Sequence, residues 1–264
     1  MQGTPWTRRL AWLGGLSGLG LALLLFAPAR WVTDAITQGT GQQLQLVNAR
    51  GTVWSGRADV VLTGGEGSRS QTALPQGLAW RLAPTWHGGP AMALRLQAPC
   101  CTPQPVALTL QPQLGGATLS VAAFDSRWPA ELLTGLGTPW NTLRLEGALA
   151  LRSDGLNLQW ASGRLLLRGG VGIDALDMAS RLSSLRPLGS YRATLLGADD
   201  GSTAQLDLQT LRGDLLLQGS GQWVGGRLRF AGDAQAAPGR EPALNNLLNI
   251  MGRRTGARSV ITIG

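Results

Sequence analysis

The sequence has no lysine, one histidine (His87), one tyrosine and two cysteines, Cys100 and Cys101, which are neighbours. Only 14% of its residues are charged, and 15 are acidic. Each scarcity excludes something. A structural zinc site takes about four nitrogen or sulfur ligands at turn-like spacing, which one histidine and two adjacent cysteines cannot supply. A serine nucleophile needs a histidine base beside it, and nothing here resembles a G-x-S-x-G elbow on an α/β background. His87 lies in PTWHGGP and reads as an exposed loop residue. Asp199 and Asp200 sit side by side in GADDGS, a hairpin-turn sequence, whereas paired catalytic carboxylates face each other across a cleft. No catalytic residue, cofactor site or metal site is expected, and the chain does not read as an enzyme. Cys100 and Cys101 leave two readings open: a disulfide between neighbours, which needs unusual backbone geometry, or two small residues in the proline-rich turn APCCTPQP.

With lysine absent, the net charge of +8 comes entirely from arginine. The arginines are scattered, with adjacent pairs only at Arg8-Arg9 and Arg253-Arg254. Nucleic-acid binders gather basic residues on one face and add stacking aromatics, so nucleic acid is not an expected partner.

What the chain does have is one long apolar run. Leu10 to Ala29 is uncharged and has the length that spans a bilayer. Arg8 and Arg9 precede it, which puts residues 1–9 in the cytoplasm by the positive-inside rule. Trp6, Trp12 and Trp31 fall near its ends, where amphipathic rings prefer to sit. The expected organisation is a cytoplasmic segment 1–9, a transmembrane helix 10–29, a linker or short helix 30–42 and a β-rich domain 43–264 on the far side. The rival reading is a cleaved signal peptide ending at the small residues 27–29, but the run is long for one and Pro28 is awkward beside a cleavage site. Gly14 and Gly18 have the GxxxG spacing that lets two helices approach, giving self-association as one reading and chance as the other.

From Gln43 onward short runs alternate apolar and polar residues and are separated by Gly, Pro, Asn or Asp. LQLV (44–47), ALRLQA (93–98), LRLEGALALR (143–152), AQLDLQTL (204–211) and RLRFAGDAQ (227–235) are examples. Such alternation marks antiparallel strands with one buried face. The expected fold is mainly β: an extended, twisted antiparallel sheet, or an open barrel or sandwich of hairpins. PAELLTGLG (129–137) reads as helical. In PALNNLLNIMG, Leu244, Leu247, Leu248 and Met251 share one helix face, with Gly252 as the stop. SVITIG reads as a last strand.

QWASGRLLL (159–167) and QWVGGRLRF (222–230) repeat one pattern, and VWSGRADVVL (53–62) is a shorter copy. The pattern reads as a hairpin in which Trp ends one strand on the packed face, small residues turn, and Arg starts the next. RGGVGIDA (168–175) lacks the helix and the acidic residue that a dinucleotide fingerprint requires, and reads as a turn. Trp54, Trp80, Trp128, Trp140, Trp160 and Trp223 read first as core anchors, then as partner contacts, then as a ligand groove.

These motifs come in a particular order: a membrane-length apolar run, RGTVWSGRADVVL, GLAWRLAP, then RGDLLLQGSGQWVGGRLRFAGDAQAAP, a leucine-rich helix and RRTGARSVITIG. The chain in this resembles the type II secretion system protein N family. The resemblance is carried by Gly51, Val53, Trp54, Ser55 and Gly56, by Trp80, Leu82 and Pro84, and by Gly219, Gly221, Trp223 and Gly232, all of which read as structural. It implies a non-catalytic, single-pass inner-membrane protein of Gram-negative bacteria. Its β-rich domain would lie in the periplasm, and its partners would be other type II secretion subunits that export folded proteins. The expected architecture is also similar to lipid-bridging proteins of the AsmA type, which makes a periplasmic lipid- or hydrophobe-binding groove the alternative.

Overall fold

The computed structural model describes residues 5–86, 88–161, 163–224 and 227–264. His87 and the first four residues of the expected cytoplasmic segment lie outside the described residues.

The expected helix over 10–29 is divided differently. Helix α1 runs Pro5–Leu25 and takes in Arg8 and Arg9. Residues 27–29 leave the helix, and α2 runs Arg30–Gly39. Pro28 supplies the reason, because it has no N–H and disfavours helical geometry in the residue before it. The freed backbone groups pair with the sheet instead. No helix among the described residues is long and apolar enough to cross a membrane.

The strands then follow one another: β1 (Leu44–Gly51), β2 (Ser55–Thr63), β3 (Gln71–Ala73), β4 (Leu78–Trp86), β5 (Pro90–Gln97), β6 (Val106–Gln113), β7 (Gly116–Val121) and β8 (Phe124–Pro129). A 3-10 helix (Ala130–Leu136), in the stretch that reads as helical, and a short α3 (Trp140–Leu143) lead into two long strands, β9 (Leu145–Ala161) and β10 (Arg164–Ser180). Next come β11 (Gly189–Gly197), β12 (Thr203–Gly213), β13 (Leu215–Val224) and β14 (Arg227–Ala236). Helix α4 (Glu241–Met251), β15 (Arg253–Thr255) and β16 (Arg258–Ile263) finish the described chain. The expected helix and last strand near the C-terminus are both present.

These strands form one sixteen-stranded sheet among the described residues, in the order β1-β2-β4-β5-β6-β7-β9-β10-β11-β12-β13-β14-β16-β15. β3 pairs with β2, and β8 pairs with β9. Every pairing is antiparallel, and the sheet does not close on itself. RGGVGIDA is not a turn. It lies inside β10, where Gly169 has φ +84; the register with β9 shifts between Gly170 and Gly172, and the extra residue is on β9, between Gly155 and Arg152. This is a bulge, which lets a long strand bend without breaking.

Alternation gives the sheet a polar outer face and an apolar inner one. On the outer face Arg192 donates from Nε and a terminal nitrogen to the two carboxylate oxygens of Asp174, at 2.6 and 2.7 Å. On the inner face sit two cores. Around the first strands Leu46, Ala58, Val60, Trp80, Ala98 and Cys101 pack beneath Ala29 and Ile36 of the α2 region. Around the later strands Met178, Leu188, Tyr191, Leu215 and Ala234 pack beneath Leu244, Leu247 and Leu248 of α4. Those three leucines are at most 2% exposed, as their 3- and 4-residue spacing requires.

Two outcomes follow from this packing. Leu247→Ala should cost about 2–5 kcal/mol, because it opens a cavity under α4 that rigid strands cannot collapse into; urea unfolding measures it. The second concerns Asp174, whose hydrogen bonds from Arg192 hold its carboxyl below the ordinary carboxylate range. A depressed folded-state pKa contributes stability above the unfolded pKa and loses it as pH falls through the folded value. Arg192→Gln should therefore return the Asp174 carboxyl toward its ordinary range and flatten this part of the acid dependence, as read by carboxyl NMR titration.

Candidate functional site

Two features of the sheet are candidates for function: the corner that receives the N-terminal helices, and the stretch of inner face that nothing covers.

The corner is GTVWSG. β1 and β2 are joined by the three residues Thr52, Val53 and Trp54, and Thr52 N–H donates to the Ser55 carbonyl at 2.9 Å. The backbone of this loop does not point to water. Val53 N–H donates to the Ala27 carbonyl at 2.9 Å, and Ala29 N–H donates to the Gly51 carbonyl at 3.1 Å. Pro28 bridges to Thr52. The Val53 carbonyl accepts a bond from Trp80 Nε1 at 3.0 Å, and the Trp54 carbonyl accepts one from Leu82 N–H at 2.7 Å. The end of α1 is thus joined to the sheet through the loop's main chain. Ala27 and Ala29 are buried at the joint.

The residue types follow from this geometry. Gly51 has φ +95, where a side chain would strike the Ser55 carbonyl. Gly56 lies opposite Trp80, and a Cβ there would run into the indole ring. Trp80 is 6% exposed and is the only buried ring of the six tryptophans considered above. Trp54, Trp128 and Trp140 are half-buried, while Trp160 and Trp223 are exposed. Ser55 is exposed, and its N–H bonds the Thr52 hydroxyl. Among the described residues no group of three or more His, Cys, Asp or Glu could hold a metal ion.

Pro84 sits where β4 has outrun β2, whose pairing with β4 stops at Ser55–Arg81. A residue without an N–H suits such an unpaired edge. Gly219 faces Gly232 across β13 and β14, and Gly221 faces Phe230. The Phe230 ring lies against Gly219 and Gly232, so side chains at these glycines would displace it. Cys100 and Cys101 are joined by a disulfide in the turn after β5. Both pack into the first core, beside Ala98, whose carbonyl accepts from the N–H groups of Cys101 and Thr102.

The inner face can be followed by register. Leu82, Leu94, Leu108 and Val121 are successive cross-strand partners, as are Pro84, Met92, Leu110, Leu119, Leu158 and Leu167. Further along, Leu195 faces Leu206, and Ala204 faces Trp223. Leu165, Leu167, Leu195, Ala204 and Trp223 line an apolar depression of about 210 Å³. The covering elements, α4 and the turns 98–105 and 181–188, all sit toward one end of the strands. The other end is made of the hairpins β4–β5, β6–β7, β9–β10, β11–β12 and β13–β14. The β1–β2 corner points the same way, so α1 joins the sheet at this open end. The alternation in the sequence marks these residues as inward-facing, but no signal there says which of them stay uncovered.

A family model described as type II secretion system (T2SS), protein N matches residues 42–261. No curated protein and no solved structure matches the chain.

Trp80→Ala should cost about 3–5 kcal/mol, because it removes a buried ring and leaves the Val53 carbonyl without its donor. Ser55→Ala should change stability by no more than about 0.5 kcal/mol. Thermal unfolding of the two variants side by side checks both. An equal loss in the two would remove the indole from the centre of the joint.

Proposed function

The chain belongs to the type II secretion system protein N family, and from this we propose that it is a non-catalytic subunit of that machine. On this reading the part of the apolar run within α1, residues 10–25, anchors it in the inner membrane, the residues before it are cytoplasmic and residues 43–264 work in the periplasm through contacts with other subunits. The family match carries the proposal, and it covers the whole run of strands from β1 to within β16. The long apolar run, with Arg8 and Arg9 before it, supports the anchoring. The main-chain joint supports the arrangement, since the segment that leaves the apolar run is bonded to the sheet. The matched family is a component of a secretion apparatus, which supports the non-catalytic reading.

One observation favours a second reading. The inner face continues as a single-parity apolar surface beyond the two cores toward the open end. A surface of that kind suits an acyl chain or another elongated hydrophobe as well as a protein segment.

The two readings separate in the cell. A periplasm-dependent reporter fused after residue 40 should be active; an inactive one would sink the topology. A photo-crosslinker at Leu158, on the inner face, and another at Gln222, on the outer, should capture secretion subunits from at least one position. Capture of phospholipid at Leu158, with no subunit at either position, would replace the first reading with the second.

A further inference from the structure

The repeated Trp–small–Gly–Arg pattern has a place in the fold that packing does not explain. Trp160 is the last residue but one of β9, and Arg164 opens β10 on the other side of the hairpin; Trp223 and Arg227 stand in the same relation between β13 and β14. Both pairs are at the open end of the sheet, and both tryptophans are more than 40% exposed. The hairpin reading of the motif holds, but these rings are not buried anchors.

They have company at that end. Trp86 closes β4 and is 73% exposed; Leu114 is at the tip between β6 and β7 and is fully exposed. Leu165, the cross-strand partner of Trp160, is also exposed, and so is Ile263, which faces Phe230 near the start of β14. Four hairpin tips or strand ends thus present large apolar side chains to solvent along one rim. The intervening tip differs, since it carries Asp199 and Asp200, with Arg168 Nε bonded to the Asp199 carbonyl. Phe26, the first residue after α1, is 75% exposed, and the next residue, Ala27, is already bonded to the β1–β2 corner.

We propose that this rim rests on the bilayer surface from which α1 emerges, with Trp86, Leu114, Trp160 and Trp223 seated in the headgroup layer and Arg164 and Arg227 on lipid phosphates. The partner is a phospholipid surface rather than a protein for three reasons. The exposed rings are mostly tryptophan, whose apolar body and polar N–H suit the membrane interface. Arginine lies one turn away from two of them, where a phosphate can accept its guanidinium. The backbone joint at residues 27–29 holds the rim's end of the sheet at the end of α1, so a membrane-embedded α1 brings the rim to the lipid without further movement. Seated this way, the bilayer closes the end of the inner face that no element of the chain covers.

The inference rests on the anchoring reading above, and the test separates the two. The full chain carrying Leu114→Cys, labelled with an environment-sensitive fluorophore, is reconstituted in vesicles of phosphatidylethanolamine and phosphatidylglycerol. Cys100 and Cys101 are disulfide-bonded, so the new thiol takes the label. Pro238→Cys, at the covered end, serves as control. Label at position 114 should shift to the blue and lose more than about half its emission to a lipid-borne quencher, while label at position 238 stays in water. Trp160→Glu with Trp223→Glu, both at exposed positions, should abolish the shift with the circular dichroism unchanged. A chain that resists carbonate extraction yet leaves position 114 in water overturns this proposal alone. A chain that carbonate extracts overturns the anchoring as well. Shielding of position 114 only after other secretion subunits are added makes the rim a protein-docking surface, and also overturns it.

Discussion

An antiparallel sheet with apolar residues at every second position has one face that must be kept from water, and the rest of this molecule is arranged around that demand. The covering elements are few. α2 lies over the first strands, and α4 with its three buried leucines lies over the later ones. Turns at the covered end supply the remainder, including the cysteine pair. With the 3-10 helix, which puts Leu132 in the first core and Ala130 in the second, they account for both cores, yet they stop part-way along the strands. The uncovered half is where each functional reading lives, whether its occupant is a protein, a hydrophobe or the bilayer itself.

The GTVWSG corner connects that sheet to the N-terminal helices through main-chain bonds rather than side-chain packing alone. The Val53 N–H bonds to Ala27 just after α1, while the Val53 and Trp54 carbonyls bond to Trp80 and Leu82 of β4. Orphaned polar groups at a half-buried corner are costly. The segment after α1 and strand β4, both bonded to one short loop, therefore hold one another in place. Gly56 is part of the same arrangement, because only a residue without a side chain leaves room for the Trp80 ring.

Much of the sheet was readable in advance, because alternation is a physical consequence of one-sided burial. The strands around 44–47, 93–98, 204–211 and 227–235 are where the pattern puts them, and the leucine spacing in α4 locates both the helix and its buried face. The misreadings have specific causes. RGGVGIDA looks like a turn because glycine clusters usually mark reversals; here Gly169 and Gly170 lie beside a bulge of β9, in a strand that goes on to Ser180. The apolar run to Ala29 looks like one helix because hydropathy does not register where the backbone bonds change partners. Trp80, Trp160 and Trp223 all look like core residues, since each ends or begins an alternating stretch. Only Trp80 is buried, and what separates it from the others is the covering chain above it, which belongs to a distant part of the sequence.

The strand order has a consequence for how the chain assembles. Apart from the detours at β3, β8 and β15, each strand pairs with the one made just before it. Loop closure between such neighbours is short-range and entropically cheap. A chain delivered N-terminus first can add strands one by one, like a ribbon extended at its free edge, without waiting for distant segments. The exposed template at any moment is the most recent strand, and the next to arrive covers it. Growth ends when β16 pairs with β14 and the three-residue β15 occupies the last edge. A strand that short offers little for another molecule to extend, so the same order that builds the ribbon also terminates it.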